Sequence, residues 1–269
     1  MLCNMSEQTI LVEARAGYRV ITLNRPDRLN AFNEAMHIAL RAALDDAQAD
    51  ETCRSVMITG SGCGFCAGQD LSDRLAKPGE PVVLGATQEA YYNPLVRQLR
   101  ALPFPVVAAV NGAAAGAGCN LALACDIVIA GRSAKFVQSF ARIGLVPDTG
   151  GTWILPRLMG DARARGLALL AQDLDADKAA SWGLIWKCVD DNVLMSEAGR
   201  ICEHFAASPT QGLALIKRAL NASAGNTLDA QLDLERDLQR AAGMTPDYAE
   251  GVRAFMEKRK PNFTGRKGS

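Results

Sequence analysis

The chain has 269 residues, with 29 Lys plus Arg set against 29 Asp plus Glu, a formal net charge of zero. That length holds one sizeable domain, or a domain with an appendage, and the charge balance leaves no net field to recruit nucleic acid or an anionic membrane. The opening MLCNMSEQTI lacks both the basic segment and the apolar stretch of a signal peptide, and later apolar runs break well short of a membrane span. A cytoplasmic protein with reduced cysteines is expected.

In chain order, RVITLNR (19–25) reads as a short buried strand and NEAMHIALRAALDDAQAD (33–50) as a helix with apolar residues at 36, 40, 43, 44 and 47. SVMITG (55–60) is the next strand. Cys63 and Cys66 follow with dithiol spacing, but AGQD stands where a redox motif needs a helix, and no Cys or His lies elsewhere at metal spacing. Neither a redox nor a metal role is expected of them. The stretch 72–93, with Lys77-Pro78-Gly79-Glu80-Pro81, reads as a mobile surface segment. PVVAAVNG (105–112) is a strand entering a Gly/Ala turn, AGAGCNLALACD a small-residue helix, and DIVIAG (126–131) the next strand. Repeated alternation argues for an α/β protein with parallel strands.

Beyond residue 205 only helical patterns remain, at 209–223, 227–244 and 246–260. Ser208 before Pro209 and Thr245 before Pro246 are the expected helix starts. The reading is a core over 1–205 and a helical region over 206–269, and the apolar residues at 228, 232, 234 and 238 of that region point to a homo-oligomer.

An oxyanion hole needs two N–H donors converging on one oxygen, and two small-residue loops are candidates to supply them: FCAGQDL (65–71) and AAAGAGCN (113–120). Glycine and alanine also serve there simply to let a helix pack close to a strand. Asp148, in GLVPDTGG (144–151), is either an acid that moves a proton or a turn residue and helix cap. His37 and His204 fall on helices at amphipathic spacing, as packing or surface residues.

Five segments in order, LNRPDRLNAF (23–32), GFCAGQDL (64–71), PVVAAVNGAAAGAGCNLALACDIVIA (105–130), IGLVPDTGGTWILPRLMG (143–160) and GVRAFMEKRKPNF (251–263), resemble the crotonase (enoyl-CoA hydratase/isomerase) superfamily over nearly the whole chain. The resemblance implies a spiral of ββα units with a C-terminal helical trimerisation region, assembly as trimers or dimers of trimers, and acyl-CoA substrates. Coenzyme A would enter as part of the substrate, with no separate cofactor and no metal. It implies that the N–H groups of Ala67 and Ala117 bind the thioester oxygen, with Gly116 or Gly118 if the register is off by one. The two glutamates with which hydratases deliver water fall at Asn120 and Phe140, so both acids are absent, and Asn120 is left to orient by hydrogen bonding.

Asp148 falls where dienoyl-CoA isomerases, aryl dehalogenases and the ring-epoxide isomerases of phenylacetate degradation carry a catalytic aspartate. One acid suits isomerisation, whereas dehalogenation also needs a base to activate water, and neither histidine is placed for that. By family position Arg28, Leu29 and Asn30 approach the nucleotide end of CoA, and Asp70 and Leu71 the adenine. Phe255 and Lys258 would contribute from a neighbouring subunit. Phe140, Trp153 and Tyr91 or Tyr92 would line the acyl pocket. The resemblance is nearest to the ring-epoxide isomerases, through AYYNPLVRQLRALPFPVV (90–107) and PDTGGTWILPRL (147–158). It implies conversion of ring-1,2-epoxyphenylacetyl-CoA to oxepin-CoA and a shift of 3-enoyl-CoA double bonds to position 2. An enoyl-CoA hydratase, or an acyl-CoA-binding module with a vestigial site, is the alternative.

Overall fold

A computed structural model of the chain describes residues 8–74 and 84–265. The strands in chain order are β1 (Ile10–Arg15), β2 (Tyr18–Leu23), β3 (Val56–Gly60), β4 (Gly64–Cys66), β5 (Val106–Val110), β6 (Ala113–Ala115), β7 (Ile127–Gly131), β8 (Lys135–Val137), β9 (Asp173–Asp175) and β10 (Lys187–Val189). They form two sheets, one ordered β1-β2-β3-β5-β7-β10 and a smaller one ordered β4-β6-β8-β9. The first hairpin is antiparallel and turns at Gly17, whose φ of 80° suits glycine. From β2 onward the larger sheet is parallel.

The helices are α1 (Glu34–Ala49), α2 (Leu84–Thr87), α3 (Asn93–Ala101), α4 (Ala117–Ala124), α5 (Gly151–Met159), α6 (Asp161–Leu170), α7 (Ala176–Ser181), α8 (Leu194–Ala206), α9 (Thr210–Ser223), α10 (Leu228–Gly243) and α11 (Pro246–Met256). From β3 to β8 the chain places one strand in the large sheet, the next in the small sheet, and then runs through helix before returning; β9 and β10 then add one strand to each sheet. This is an α/β spiral of ββα units, with a helical region at its C-terminal end.

The continuous apolar runs of β3 and β5 follow from burial on both faces. Ile58, Val106, Ala108 and Val110 point into the main core, while Met57, Val107 and Ala109 meet Leu194, Ala198 and Cys202 of α8 on the other side. In α1, Asn33 accepts a hydrogen bond from Met36 N at 2.9 Å and so caps the helix. Its buried face carries Met36, Leu40, Ala43, Leu44 and Ala47, at the expected period. His37 is on that face too, between the rings of Phe32 and Tyr91 at 4.5 and 5.0 Å, so it is a packing residue.

Three expectations are corrected. Helix α9 begins at Thr210 with Pro209 as its cap residue, because the Ser208 hydroxyl donates to His204 O at the end of α8, at 2.6 Å. In the stretch 72–93, residues 75–83 lie outside the described residues, and the rest is not loop. Leu84–Thr87 is helical and runs through a π-helical turn, Gln88–Tyr92, into α3. Helix α11 ends at Met256 rather than 260, while its start is as expected, with Thr245 accepting from Tyr248 N at 3.2 Å. Among the described residues no helix is long and apolar enough to cross a membrane.

Candidate active site

The carboxyl ends of β4, β6 and β8, parallel neighbours in the small sheet, bring three connections side by side. Ligands in α/β folds gather at such ends. After β6, Gly116 takes φ 53° and ψ −125°, a conformation suited to glycine, and α4 starts at once. Its first N–H, that of Ala117, has no acceptor within the helix and sits at the positive end of the helix dipole. The loop after β4 lies directly against it: a Cβ on Gly68 would stand 3.3 Å from Ala117 N.

The geometry corrects the partner expected for Ala117. The N–H of Ala67 donates to Leu29 O at 2.9 Å, holding the 25–30 turn to the β4 loop. One residue on, Gly68 O accepts from Phe32 N at 2.6 Å, and among the described residues there is no cis peptide. In a trans peptide the following N–H points the opposite way. The N–H of Gln69 therefore points away from Phe32, towards the edge on which β4 pairs with β6 and α4 begins. Gln69 and Ala117, not Ala67 and Ala117, are the backbone pair that this arrangement offers.

Asp148 is partly exposed, and both of its carboxylate oxygens are held. Gln88 Nε2 donates to Oδ2 at 2.8 Å and Thr149 Oγ1 to Oδ1 at 2.9 Å. The cap of α5 is Gly150, so the Asp148 side chain is not spent on the helix start. Two left-handed residues, Thr149 at φ 54° and Gly150 at φ 81°, turn the chain there. Asn120, fully buried, donates from Nδ2 to Asp148 O at 2.8 Å and accepts from Gln138 Nε2 at 2.8 Å. A Cβ on Gly151 would come within 2.3 Å of Asn120 Nδ2, so α5 rests directly on this amide. Asn120 was expected at the substrate; it instead fixes the backbone of Asp148, one turn along α4 from Ala117. Phe140 is buried, with Cζ 3.7 Å from where a Cβ on Gly116 would be, and so walls the start of α4 with a ring where a hydratase needs an acid.

Other expected contacts divide. Arg28, Leu29 and Leu71 are exposed on the segments that carry the β4 loop. Asn30 is fully buried and its side chain is engaged with Arg25 N, Ser61 O and Gly64 O at 2.8–2.9 Å, so it braces the turn rather than meeting a ligand. Asp70 likewise faces inward, accepting from Ser72 Oγ at 2.6 Å and pairing with Arg25 at 2.9 Å. Hydrogen bonds from Ser72, and then Arg25, hold its carboxyl below the usual range against the opposing effect of burial. The Trp153 ring is packed by the guanidinium groups of Arg100 and Arg157, 4.9 and 4.1 Å from its centre. It stands two residues beyond Gly151, roughly 200° around the helix from the face that meets Asn120.

Of the two tyrosines, Tyr91 bonds Glu34 at the surface, whereas buried Tyr92 donates to Gln69 Oε1 at 2.9 Å. Phe255 and Lys258 are exposed in the C-terminal region, Phe255 in a groove with Tyr248, Val252 and Phe263, and no described contact brings them to Asp148. Cys63 is exposed and Cys66 buried, and the two are not bonded. Burial pushes the Cys66 thiol up to about 12, against a thiolate. Gln69, Gln88, Tyr92, Gln138 and Thr149 complete the site. Tyr92 was expected, as the alternative to Tyr91, in the acyl pocket; Gln69 and Thr149 stand inside the matched motifs without a side-chain signature of their own, and Gln88 and Gln138 had no signal.

The enoyl-CoA hydratase/isomerase family model matches residues 13–266. The chain is 56% identical over 258 residues to 1,2-epoxyphenylacetyl-CoA isomerase of Escherichia coli, covering 96% of this chain and 98% of that one. It is 49% identical to a Rhodobacter capsulatus protein named "probable enoyl-CoA hydratase", over 97% of this chain and all of the other. The crystal structure of an enoyl-CoA hydratase from Polaromonas sp. JS666 superposes with a TM-score of 0.87 at 36% identity, covering 94% of this chain and 99% of that one. With its spiral of ββα units and its paired loops at the start of α4, the chain belongs to the enoyl-CoA hydratase/isomerase (crotonase) family.

Proposed function

We propose that the protein is a CoA-thioester isomerase that converts ring-1,2-epoxyphenylacetyl-CoA to oxepin-CoA and moves the double bond of 3-enoyl-CoA to position 2. The observation that carries this reading is a single carboxylate, Asp148, tied through Asn120 to the first turn of α4, with an amide and a phenyl ring where hydration needs two acids. The high identity to an isomerase named for the epoxide supports the choice of acyl group.

The thioester oxygen lies between the N–H groups of Gln69 and Ala117. Asp148 removes a proton from C2; the electron pair delocalises over C2, C3 and C4 and onto the thioester oxygen, and the same carboxyl returns the proton to C4. Each backbone donor contributes about 3 kcal/mol at the transition state. Phe140 walls the acyl end. Exposed Arg28 meets a CoA phosphate, and Leu29 and Leu71 flank the adenine. Phe255 and Lys258 reach the nucleotide of a neighbouring subunit in a trimer or dimer of trimers. The exposed apolar residues Leu228, Met244, Tyr248 and Phe255 favour such an assembly. The enzyme works in the cytoplasm, in phenylacetate catabolism, with no metal and no cofactor beyond the CoA of its substrate.

The test is Asp148→Asn assayed with 3-enoyl-CoA and 2-enoyl-CoA. Isomerisation falls roughly 10²–10⁴-fold while CoA-ester binding persists. Sustained hydration of 2-enoyl-CoA, undiminished in Asp148→Asn, would sink the proposal, and binding by the unaltered protein without any turnover would favour a binding module.

A further inference from the structure

The π-helical turn Gln88–Tyr92 touches both halves of the site. At one end Gln88 Nε2 donates to Asp148 Oδ2 at 2.8 Å, across 60 residues of sequence. At the other, the Tyr92 hydroxyl donates to Gln69 Oε1 at 2.9 Å. The wide turn is thus a strut between the acid and the β4 loop, and such turns recur at functional sites. Tyr92 is buried among core side chains, so the strut is anchored, and α3 continues from it with Leu95 and Leu99 buried.

The two hydrogen bonds to Asp148 are unequal. Thr149 is its neighbour in sequence and moves with it, whereas Gln88 belongs to a separate element and fixes the carboxylate relative to the rest of the molecule. The other amide atom, Gln88 Oε1, is buried and has no hydrogen-bond partner among the described residues, so the contact to Asp148 is made by the donor end of the amide. Resting on the reading of Asp148 as the acid/base, we propose that Gln88 is a positioning residue. It holds the Asp148 carboxyl in one orientation, so that the proton taken from C2 is delivered to C4 before the carboxyl turns and exchanges it with water.

The step balances within the substrate and Asp148. The C2–H bond breaks, the carboxylate carries the proton, the electron pair passes to the dienolate, and the C4–H bond forms. Without the Gln88 donor, the carboxyl rotates more freely about its side-chain bonds, and solvent exchange competes with return.

The experiment is single-turnover conversion of 3-enoyl-CoA in D₂O by the full chain, with deuterium at C4 of the product read by mass spectrometry and NMR. Gln88→Met keeps the length of the side chain and removes the donor. It lowers kcat about tenfold, as expected for one hydrogen bond to a charged group, leaves KM within about twofold and raises deuterium at C4. Gln88→Glu, which sets a like charge against Asp148, does the same with a larger fall in kcat, and serves as the second variant should Gln88→Met fold poorly. Deuterium content equal to that of the unaltered enzyme overturns the proposal whatever happens to kcat, because a merely structural loss changes the amount of active enzyme and not the fate of each proton. Asp148→Asn is run alongside. If it isomerises normally, the acid/base reading itself has failed; if it is inactive while Gln88→Met exchanges no more deuterium, only the role of Gln88 has.

Discussion

Gly68 shows how narrowly a single residue sets the proposed oxyanion hole. Its φ of 92° reverses the loop between the Ala67 N–H, committed to Leu29, and the Gln69 N–H, which points the other way. A side chain there would be strained in conformation and would stand 2.9 Å from Ala115 O and 3.3 Å from Ala117 N, in front of one of the two donors. Gly68→Ala is therefore expected to lower kcat/KM about 100-fold, as for loss of one donor, and to destabilise by roughly 1–3 kcal/mol. Steady-state kinetics and chemical denaturation measure the two effects separately. Cys63, five residues earlier and exposed, makes the contrast. Cys63→Ser should leave isomerisation unchanged, and inactive but folded protein would revive a role for the thiol. Cys66 is beyond such a role, since its buried Sγ donates to Asn30 O at 3.1 Å and burial disfavours the thiolate.

Elements were legible in proportion to their length and burial. The strands β2, β3, β5 and β7 and the helix α1 carry enough apolar residues for the pattern to show, and all lie within a residue or two of their expected spans. The strands β4, β6 and β8 have three residues each, shorter than any window that reveals alternation, yet their carboxyl ends carry the site. Asp148 and Ala117 could be read because each stands in a glycine-rich turn with its own signature. Asn120 and Asp70 were read as ligand contacts because a sequence shows the polar group and not its direction; burial turned both inward. Gln88 could not be read at all, since its partner is distant in the chain and no periodicity links them. The end of α11 shows how local charge stops an element. Glu250 accepts from Arg259 at 2.6 and 3.0 Å and from Asn262 N at 2.8 Å, folding the chain back past Met256. These bonds, Arg259 first, bring the Glu250 carboxyl down to about 2. A lowered carboxyl stabilises the fold above its unfolded value, near 4.5, and that contribution is lost as pH falls through about 2. The Asn262 amide resonance should therefore titrate with a midpoint near 2, and not titrate so in Glu250→Gln; a midpoint near 4.5 would mean that the contact does not form in solution.

The molecule as a whole depends on how its helical end is joined to the spiral, and two cations make the joint. Arg54, just before β3, donates to Ser208 O, Thr210 Oγ1 and Phe263 O at 2.7–3.1 Å, gathering the start of α9 and the last described turn. Lys217 reaches from α9 into the core, with Nζ 2.8 Å from Leu99 O at the end of α3, 3.2 Å from Phe104 O and 2.7 Å from Asp126 Oδ2. Its side chain is only 7% exposed, while that of Asp126 is 25% exposed, so removing the ammonium has unequal consequences. Two carbonyls lose a donor where water enters poorly, whereas Asp126 is partly rehydrated and keeps its bond from Val106 N at 2.8 Å. Lys217→Met should accordingly destabilise by about 2–3 kcal/mol, below the 3–5 kcal/mol typical of breaking a fully buried pair. Adding Asp126→Asn removes the stranded charge while leaving an acceptor for Val106, and should recover part of the loss; a double variant no more stable than Lys217→Met would locate the whole cost at the two carbonyls. Because α3 leads directly from the Gln88–Tyr92 turn, a weakened joint at Leu99 should also be felt at Asp148. Urea denaturation of the single and double variants, with kcat measured on each, therefore tests whether the helical end merely adds stability or also holds the site in register.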